Sequence, residues 1–284
     1  LSCSAEREET PAQPLDILLI GGMLYSGADE PPLAADVGIM DDRIVAIGEL
    51  SGQQAALTLD VSGLAVVPGF VDIHSHAVRD DLNDGIFRWP DAENLIRQGV
   101  TTVVGGPDGS SPLPITDTFA AIEAAPASVN FATFAGHGSI RSLVVGEDDR
   151  PATDAELEQM REQLRIAMES GAFGLSSGLI YAPGRFAETE EVVELARVAG
   201  EYGGIYISHM REEGLAVLDS VAETIRIGEE GGLPTQITHH KIVGAPMWGH
   251  STETLRLVDE AVARGVDVSI DQYPYTASST SLTI

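Results

Sequence analysis

The stretch VPGFVDIHSH, Val67 to His76, joins an apolar run to two histidines one residue apart. Pro68 and Gly69 interrupt whatever precedes them. Phe70 to His74 then reads as a short buried strand with its polar tip at the C-terminal end. Residues two apart on a strand point to the same side, so His74 and His76 form a pair able to grip one metal ion. Taken alone, such a pair is equally a hydrogen-bonded lining of a sheet. What the rest of the chain places at equivalent positions separates the two readings.

Upstream of this stretch the pattern is all-β. Residues 1–14 are a polar, proline-containing lead. DILLIGG (16–22), DVGIMDDRIVAIGEL (36–50) and ALTLDVSGLAVVPG (56–69) supply short strands separated by turns at Asp41-Asp42 and Ser62-Gly63. Residues 15–68 are therefore expected to form a small β domain. Downstream, apolar runs at 70–74, 100–105, 129–135, 172–177, 203–208, 234–239 and 266–271 alternate with helical periodicity at 91–98, 115–124, 154–170, 188–202, 213–230 and 251–264. Thr153 with Glu156 three residues on marks one helix start, and Gly171 follows its end. Repeated β-then-α units with continuous apolar strands imply a parallel sheet buried on both faces. Seven strands are visible in residues 69–284, where a (β/α)8 barrel needs eight. The expectation is a barrel cut short before its eighth strand, with an open doubly wound sheet as the alternative.

Composition narrows the function. Of 284 residues, 44 are acidic and 16 basic, for a net charge of -28. Such a surface repels phosphates and argues against a nucleic-acid partner. No apolar run is long enough to span a membrane. The only cysteine, Cys3, excludes an intrachain disulfide. Its Leu-Ser-Cys setting resembles the lipid-attachment end of a bacterial lipoprotein signal, which leaves the location open between cytoplasm and cell envelope.

The strand ends carry the chemistry. In order they are His74 and His76, Asp108, His137, Ser176 and Ser177, His209, His239 and His240, and Asp271. Six of the seven histidines lie there, at the end of the strands where barrel enzymes place their sites. His209 and His239 are one βα unit apart, hence on neighbouring strands. With one carboxylate they form a ligand set that leaves a fourth zinc position for water. His240 alternates to the opposite face, and Lys241 returns to the side of His239, where a cation suits a substrate carboxylate. Asp108, in VVGGPDGSS, is a candidate ligand or a plain turn residue. Asp271 caps a loop or holds a ligand histidine in place. GLSSG, 174–178, resembles a serine nucleophile elbow only loosely.

Taken together, PGFVDIHSH, GVTTVVGGPDGSS, GAFGLSSGLIYAPG, YISHMREEG, ITHHKIVG and DQYPYTASST resemble the N-acyl-D-amino-acid deacylases, or D-aminoacylases, of the amidohydrolase superfamily. The resemblance implies a (β/α)8 barrel with a small β-sandwich domain. It implies zinc-dependent hydrolysis of an N-acyl-D-amino acid to a carboxylate and a free D-amino acid, with one tightly bound zinc and a second, weaker ion. It places His74, His76, Asp108, His209 and His239 at the metals, and Lys241, Tyr273, Tyr181 and Ser177 at the substrate. Asp108 stands where the family has a cysteine ligand, and a carboxylate is also a competent zinc ligand. The family's catalytic aspartate comes from an eighth strand, so no catalytic residue is assigned within the chain. Strand four offers no lysine, which weakens the alternative of a hydrolase of cyclic amides. Hydrolysis of D-configured dipeptides and an inactive metal-binding fragment are the remaining alternatives.

Overall fold

The computed structural model describes residues 14–78, 82 and 84–280. The chain divides into two compact units between Gly69 and Phe70. Cys3 and the polar lead lie outside the described residues.

The first unit is a mixed five-stranded sheet. Strand β1 (Leu15–Leu24) is central, antiparallel to β2 (Leu33–Met40) and parallel to β4 (Ala55–Asp60) and β5 (Ala65–Val66). Strand β3 (Arg43–Gly48) returns on β2 through the Asp41-Asp42 turn. Asp41 has φ +52°, a left-handed value that aspartate tolerates, and its N–H donates to the Asp16 carboxylate at 2.6 Å. Leu15, Leu18 and Val37 are buried, whereas Ile44, Val45, Ile47, Leu57 and Leu59 are exposed. Among the described residues this unit is one sheet.

The second unit alternates strands and helices. Its strand positions are β6 (Phe70–Asp72), β7 (Val100–Gly105), β8 with β9 (Asn130–Thr133, Ala135–Gly136), β10 (Gly174–Gly178), β11 (Ile205–His209), β12 (Thr235–Ile237) and β13 (Val268–Ile270). Every pair is parallel and the order follows the sequence. Strands β8 and β9 are one strand interrupted at Phe134, whose N–H still donates to the Gly105 carbonyl at 2.9 Å. Seven strands laid flat would separate the first from the last by about 29 Å at the usual inter-strand spacing. Yet His74, just past β6, has its Nδ1 3.8 Å from the Asp271 carboxylate, just past β13. The sheet therefore curls until its two edges meet at their polar ends. Its concave side holds a cluster of its own, Val104, Phe134 and Ile207 with Ile73, Ala132 and Ile205 packed against it. The larger core lies outside the sheet, under the helices.

The helices are α1 (Glu93–Ile96), α2 (Ile115–Ala124), α3 (His137–Val144), α4 (Asp154–Glu169), α5 (Thr189–Glu201), α6 (Val217–Gly231) and α7 (Ser251–Ala263). At α4, Thr153 and Glu156 form the reciprocal capping box expected from their spacing. Two elements differ from the sequence reading. Helix α6 begins at Val217, not 213, because the Glu212 carboxylate takes the N–H groups of Gly214 and Ala216 at 2.8 and 2.5 Å and holds them in a loop. Helix α3 was not expected, since it is short and begins directly at the end of the third strand.

Candidate metal centre

Asp108 sits in the loop after β7, with φ +56°, a left-handed value that aspartate, like Asp41, tolerates. Tight packing holds it there. Gly109 donates to the Ser176 hydroxyl at 3.1 Å, and Ser176 donates to the Gly106 carbonyl at 2.6 Å. A Cβ on Gly178 would lie 2.1 Å from the Asp108 carbonyl oxygen, so only glycine lets β10 approach the loop this closely. From the first helix turn of α3, Ser139 donates its N–H to the Gly109 carbonyl at 3.1 Å.

Around this carboxylate stand four histidines. His74 Nε2 is 3.1 Å from Asp108 Oδ1, and His76 Nε2 is 3.2 Å from Oδ2. His209 Nδ1 and His239 Nε2 lie 3.6 and 3.8 Å from Oδ1 and 2.8 Å from each other. The ring of His239 is also carried on a left-handed backbone, φ +38°. Two groups of three donors share Asp108: His74, His76 and Asp108, and Asp108, His209 and His239.

The donor set and its spacing fit a zinc ion. Tetrahedral bonds of the usual zinc–nitrogen length imply about 3.3 Å between ligand atoms. The Asp108–His209–His239 triangle has edges on either side of that value, and imidazole nitrogens with a carboxylate oxygen suit zinc.

Glu213, which the sequence reading missed, completes the shell around the ligands. Its nearly buried carboxylate lies 3.0 Å from His239 Nδ1 and 4.0 Å from His209 Nε2. It thus pairs with the outer nitrogen of His239, lies near that of His209, and leaves the inner pair facing Asp108, the place a carboxylate partner takes behind a ligand histidine. The available signal was its position four residues after His209 in SHMREEG. Asp271 supports the other side: its Oδ1 accepts the His239 N–H at 2.5 Å, its Oδ2 faces His74, and Gln236 donates to it. Burial works against a charged His74, but the Asp108 and Asp271 carboxylates outweigh it and hold its pKa at about 9. Burial would raise Asp108, yet His209, His74 and His76 keep it well below the usual carboxylate range.

The remaining candidates separate. Lys241 lies beside the centre, its ammonium donating to Glu213 at 2.6 Å and lying 6.0 Å from the Tyr273 ring centroid. The Tyr181 hydroxyl is 3.4 Å from His209 Nδ1 and 2.8 Å from the Thr280 hydroxyl. These three line a cleft of about 780 Å³ together with the metal-facing side chains. Ser177 does not reach it. It is fully buried, and its hydroxyl pairs with Tyr206 and Ser208 at 2.6 and 3.1 Å, because β10 turns it into the interior. His137 is likewise buried and pairs with Glu191 at 2.8 Å, away from the centre. His240 is buried and is not among the side chains that line the cleft.

The sequence profile of the amidohydrolase family matches residues 57–282. The chain belongs to the amidohydrolase family. The chain is 43% identical to the D-aminoacylase of Alcaligenes xylosoxydans xylosoxydans, over 96% of its own length and 60% of that protein. Among solved structures, it superposes on an N-acyl-D-glutamate deacylase from Bordetella bronchiseptica complexed with zinc and a phosphonate mimic of the tetrahedral intermediate. There the TM-score is 0.85 and the identity 37%, covering 93% of this chain and 59% of that one. A D-aminoacylase structure described by its binuclear metal centre, with one-metal activation and second-metal attenuation, gives a TM-score of 0.84 at 38% identity, over 92% and 59% of the two chains. The chain spans about 60% of the length of the curated relatives it matches.

Proposed function

We propose that the protein hydrolyses the amide bond of N-acyl-D-amino acids with zinc held by Asp108, His209 and His239. The donor triangle, with Glu213 behind His239, carries this reading. The likeness to a D-aminoacylase and to a zinc-bound N-acyl-D-glutamate deacylase gives it its substrate class. The second donor group, His74 and His76 sharing Asp108, is proposed to take a second, weaker ion.

In the reaction the acyl C–N bond breaks, the oxygen of water joins the acyl carbon, and a proton passes to the departing nitrogen. Bound zinc would polarise the carbonyl and lower the pKa of water. The chain's own residues do the rest. The Tyr181 hydroxyl, its pKa raised by burial, stands 3.4 Å from His209 Nδ1 as a donor for the carbonyl oxygen. Lys241 meets the substrate's α-carboxylate, sharing its ammonium with Glu213, and Tyr273 forms the adjoining wall. No described residue is assigned as the proton carrier. The centre is proposed to stand at the mouth of a (β/α)8 barrel.

The experiment is direct. Zinc-loaded protein should release free D-amino acid from N-acetyl-D-amino acids and act poorly on the L forms. Replacing His209 or His239 with Ala should remove metal and activity together. Full activity in metal-free protein would overturn the mechanism.

Cys3, outside the described residues, carries the separate proposal of a lipid-anchored location in the cell envelope. Mass spectrometry of the N-terminal peptide from the natural host tests it, since an unmodified Cys3 there excludes the anchor. No helix among the described residues is long and apolar enough to cross a membrane.

A further inference from the structure

Two clefts meet at the metal centre. They share His76, Asp108, Tyr181, Ser279 and Thr280 as a common wall. The first is the Lys241 cleft described above. The second, about 1570 Å³, runs outward from Asp108 past the start of α2 and along α3 and α4.

The two differ in charge. Among the described residues the groove has no lysine or arginine in its lining, and beyond His76 and Asp108 its one acidic or basic side chain is Glu147. A carboxylate entering it would meet the like charge of Glu147. A neutral chain meets no such penalty. The walls are apolar along much of their length: Leu113 and Ile115 at the start of α2, Leu143 on α3, and Ile166 with Ala167 on α4. On α4 the lining residues Gln163, Ile166, Ala167 and Ser170 follow the i, i+3, i+4, i+7 spacing of a single helix face. That face runs for about 10 Å at the helical rise per residue. Leu143 is 61% exposed and Ile166 44% exposed, and both line this one groove. Single exposed apolar residues are ordinary, but two large ones on one groove leading from a reactive centre mark an apolar ligand surface.

An N-acyl amino acid has two arms on its amide, one ending in a carboxylate and one neutral. We infer that the groove between α2, α3 and α4 holds the acyl arm, and that the protein is selective for extended aliphatic N-acyl groups over acetyl. The inference rests on the deacylase reading above. The α-carboxylate arm then falls in the Lys241 cleft, and the metal centre stands at the amide between them.

The test is an acyl-length series on one D-amino acid, from acetyl through butanoyl and hexanoyl to octanoyl, with the zinc-loaded protein at its full natural length. Half-burial of each methylene predicts that kcat/KM rises about twofold per added carbon. Leu143→Asp and Ile166→Asp should each lower the octanoyl-to-acetyl ratio of kcat/KM about tenfold. As a readout independent of turnover, free octanoate should raise the melting temperature at concentrations where acetate does not, and Leu143→Asp should abolish the difference. Cleavage of acetyl and octanoyl substrates at equal kcat/KM overturns the groove assignment and leaves the deacylase reading standing. A dependence on the length of the amino-acid side chain, with none on the acyl chain, also overturns it. If no N-acyl-D-amino acid of any length is cleaved, the reading and the inference fall together.

Discussion

Asp108 is the residue on which the centre is built. It belongs to both donor groups, it is nearly buried, and it is held in a left-handed conformation by glycines and serines of neighbouring strands. His239 shares the feature at φ +38°. Glu213 acts one shell further out. Glu213→Gln should weaken zinc binding roughly 10- to 100-fold, the usual effect of losing a carboxylate partner of a ligand histidine. Titration with a chelating indicator measures this. Unchanged affinity would show that Asp271 and the loop alone orient His239. The ligand types were legible from residue identity and position at strand ends. Glu213 was not, because it lies in a loop with no periodicity, and only folding turns it toward two histidines. Ser177 failed the other way: its motif placed it at the site, but strand alternation turned it into the interior.

At the scale of elements, most strands and helices followed from apolar periodicity. Helix α2 spans 115–124, the same residues as its sequence signal, and the α4 capping box was readable from Thr153 and Glu156. Helix α3 was not, since its anchor is tertiary. Arg141 is fully buried and bonds both the Glu191 carboxylate of α5 and the Arg150 carbonyl, while His137 meets the same carboxylate. This cluster ties α3 to α5, and α3 in turn holds the Asp108 loop through Ser139. Burial would raise the Glu191 pKa, but His137 and Arg141 outweigh it and hold the carboxyl below its ordinary value. An acid with a lowered folded-state pKa stabilises the fold above the ordinary carboxylate range, and that contribution is lost as pH falls through the folded value. Unfolding of the wild type should therefore ease as pH drops below about 4.5, the value for the unfolded glutamate. Glu191→Gln should flatten that dependence while costing about 3–5 kcal/mol at neutral pH, because it leaves Arg141 buried without its counter-charge. Urea titrations across pH measure both effects, and an unchanged pH slope in the variant would show that other carboxylates dominate.

Over the whole molecule, charge is the outstanding property. A net charge of -28 implies strong self-repulsion at low ionic strength. Arginine–glutamate pairs link the outer helices, with Arg161 to Glu194, Arg197 to Glu230 and Arg226 to Glu190, yet exposed pairs of this kind contribute only about 0–1 kcal/mol each. Raising the salt from about 0.1 to 1 M shortens the screening length from about 10 to 3 Å. The melting temperature should rise across that range. A fall would mean that the helix-surface pairs outweigh the net repulsion.

The sequence by itself determined the alternation of strand and helix, the parallel sheet, the boundary near Gly69, and the kinds of atoms offered at the strand ends. These depend on local periodicity and residue chemistry, which the chain carries along its length. Only the tertiary structure decided which of those atoms converge. Curling the sheet brings His74 beside Asp271, places Asp108 between four histidines from three strand ends, sends His137 and Ser177 elsewhere, and opens a second groove at the same centre. Convergence depends on curvature and side-chain direction, and both are set by packing between segments far apart in sequence.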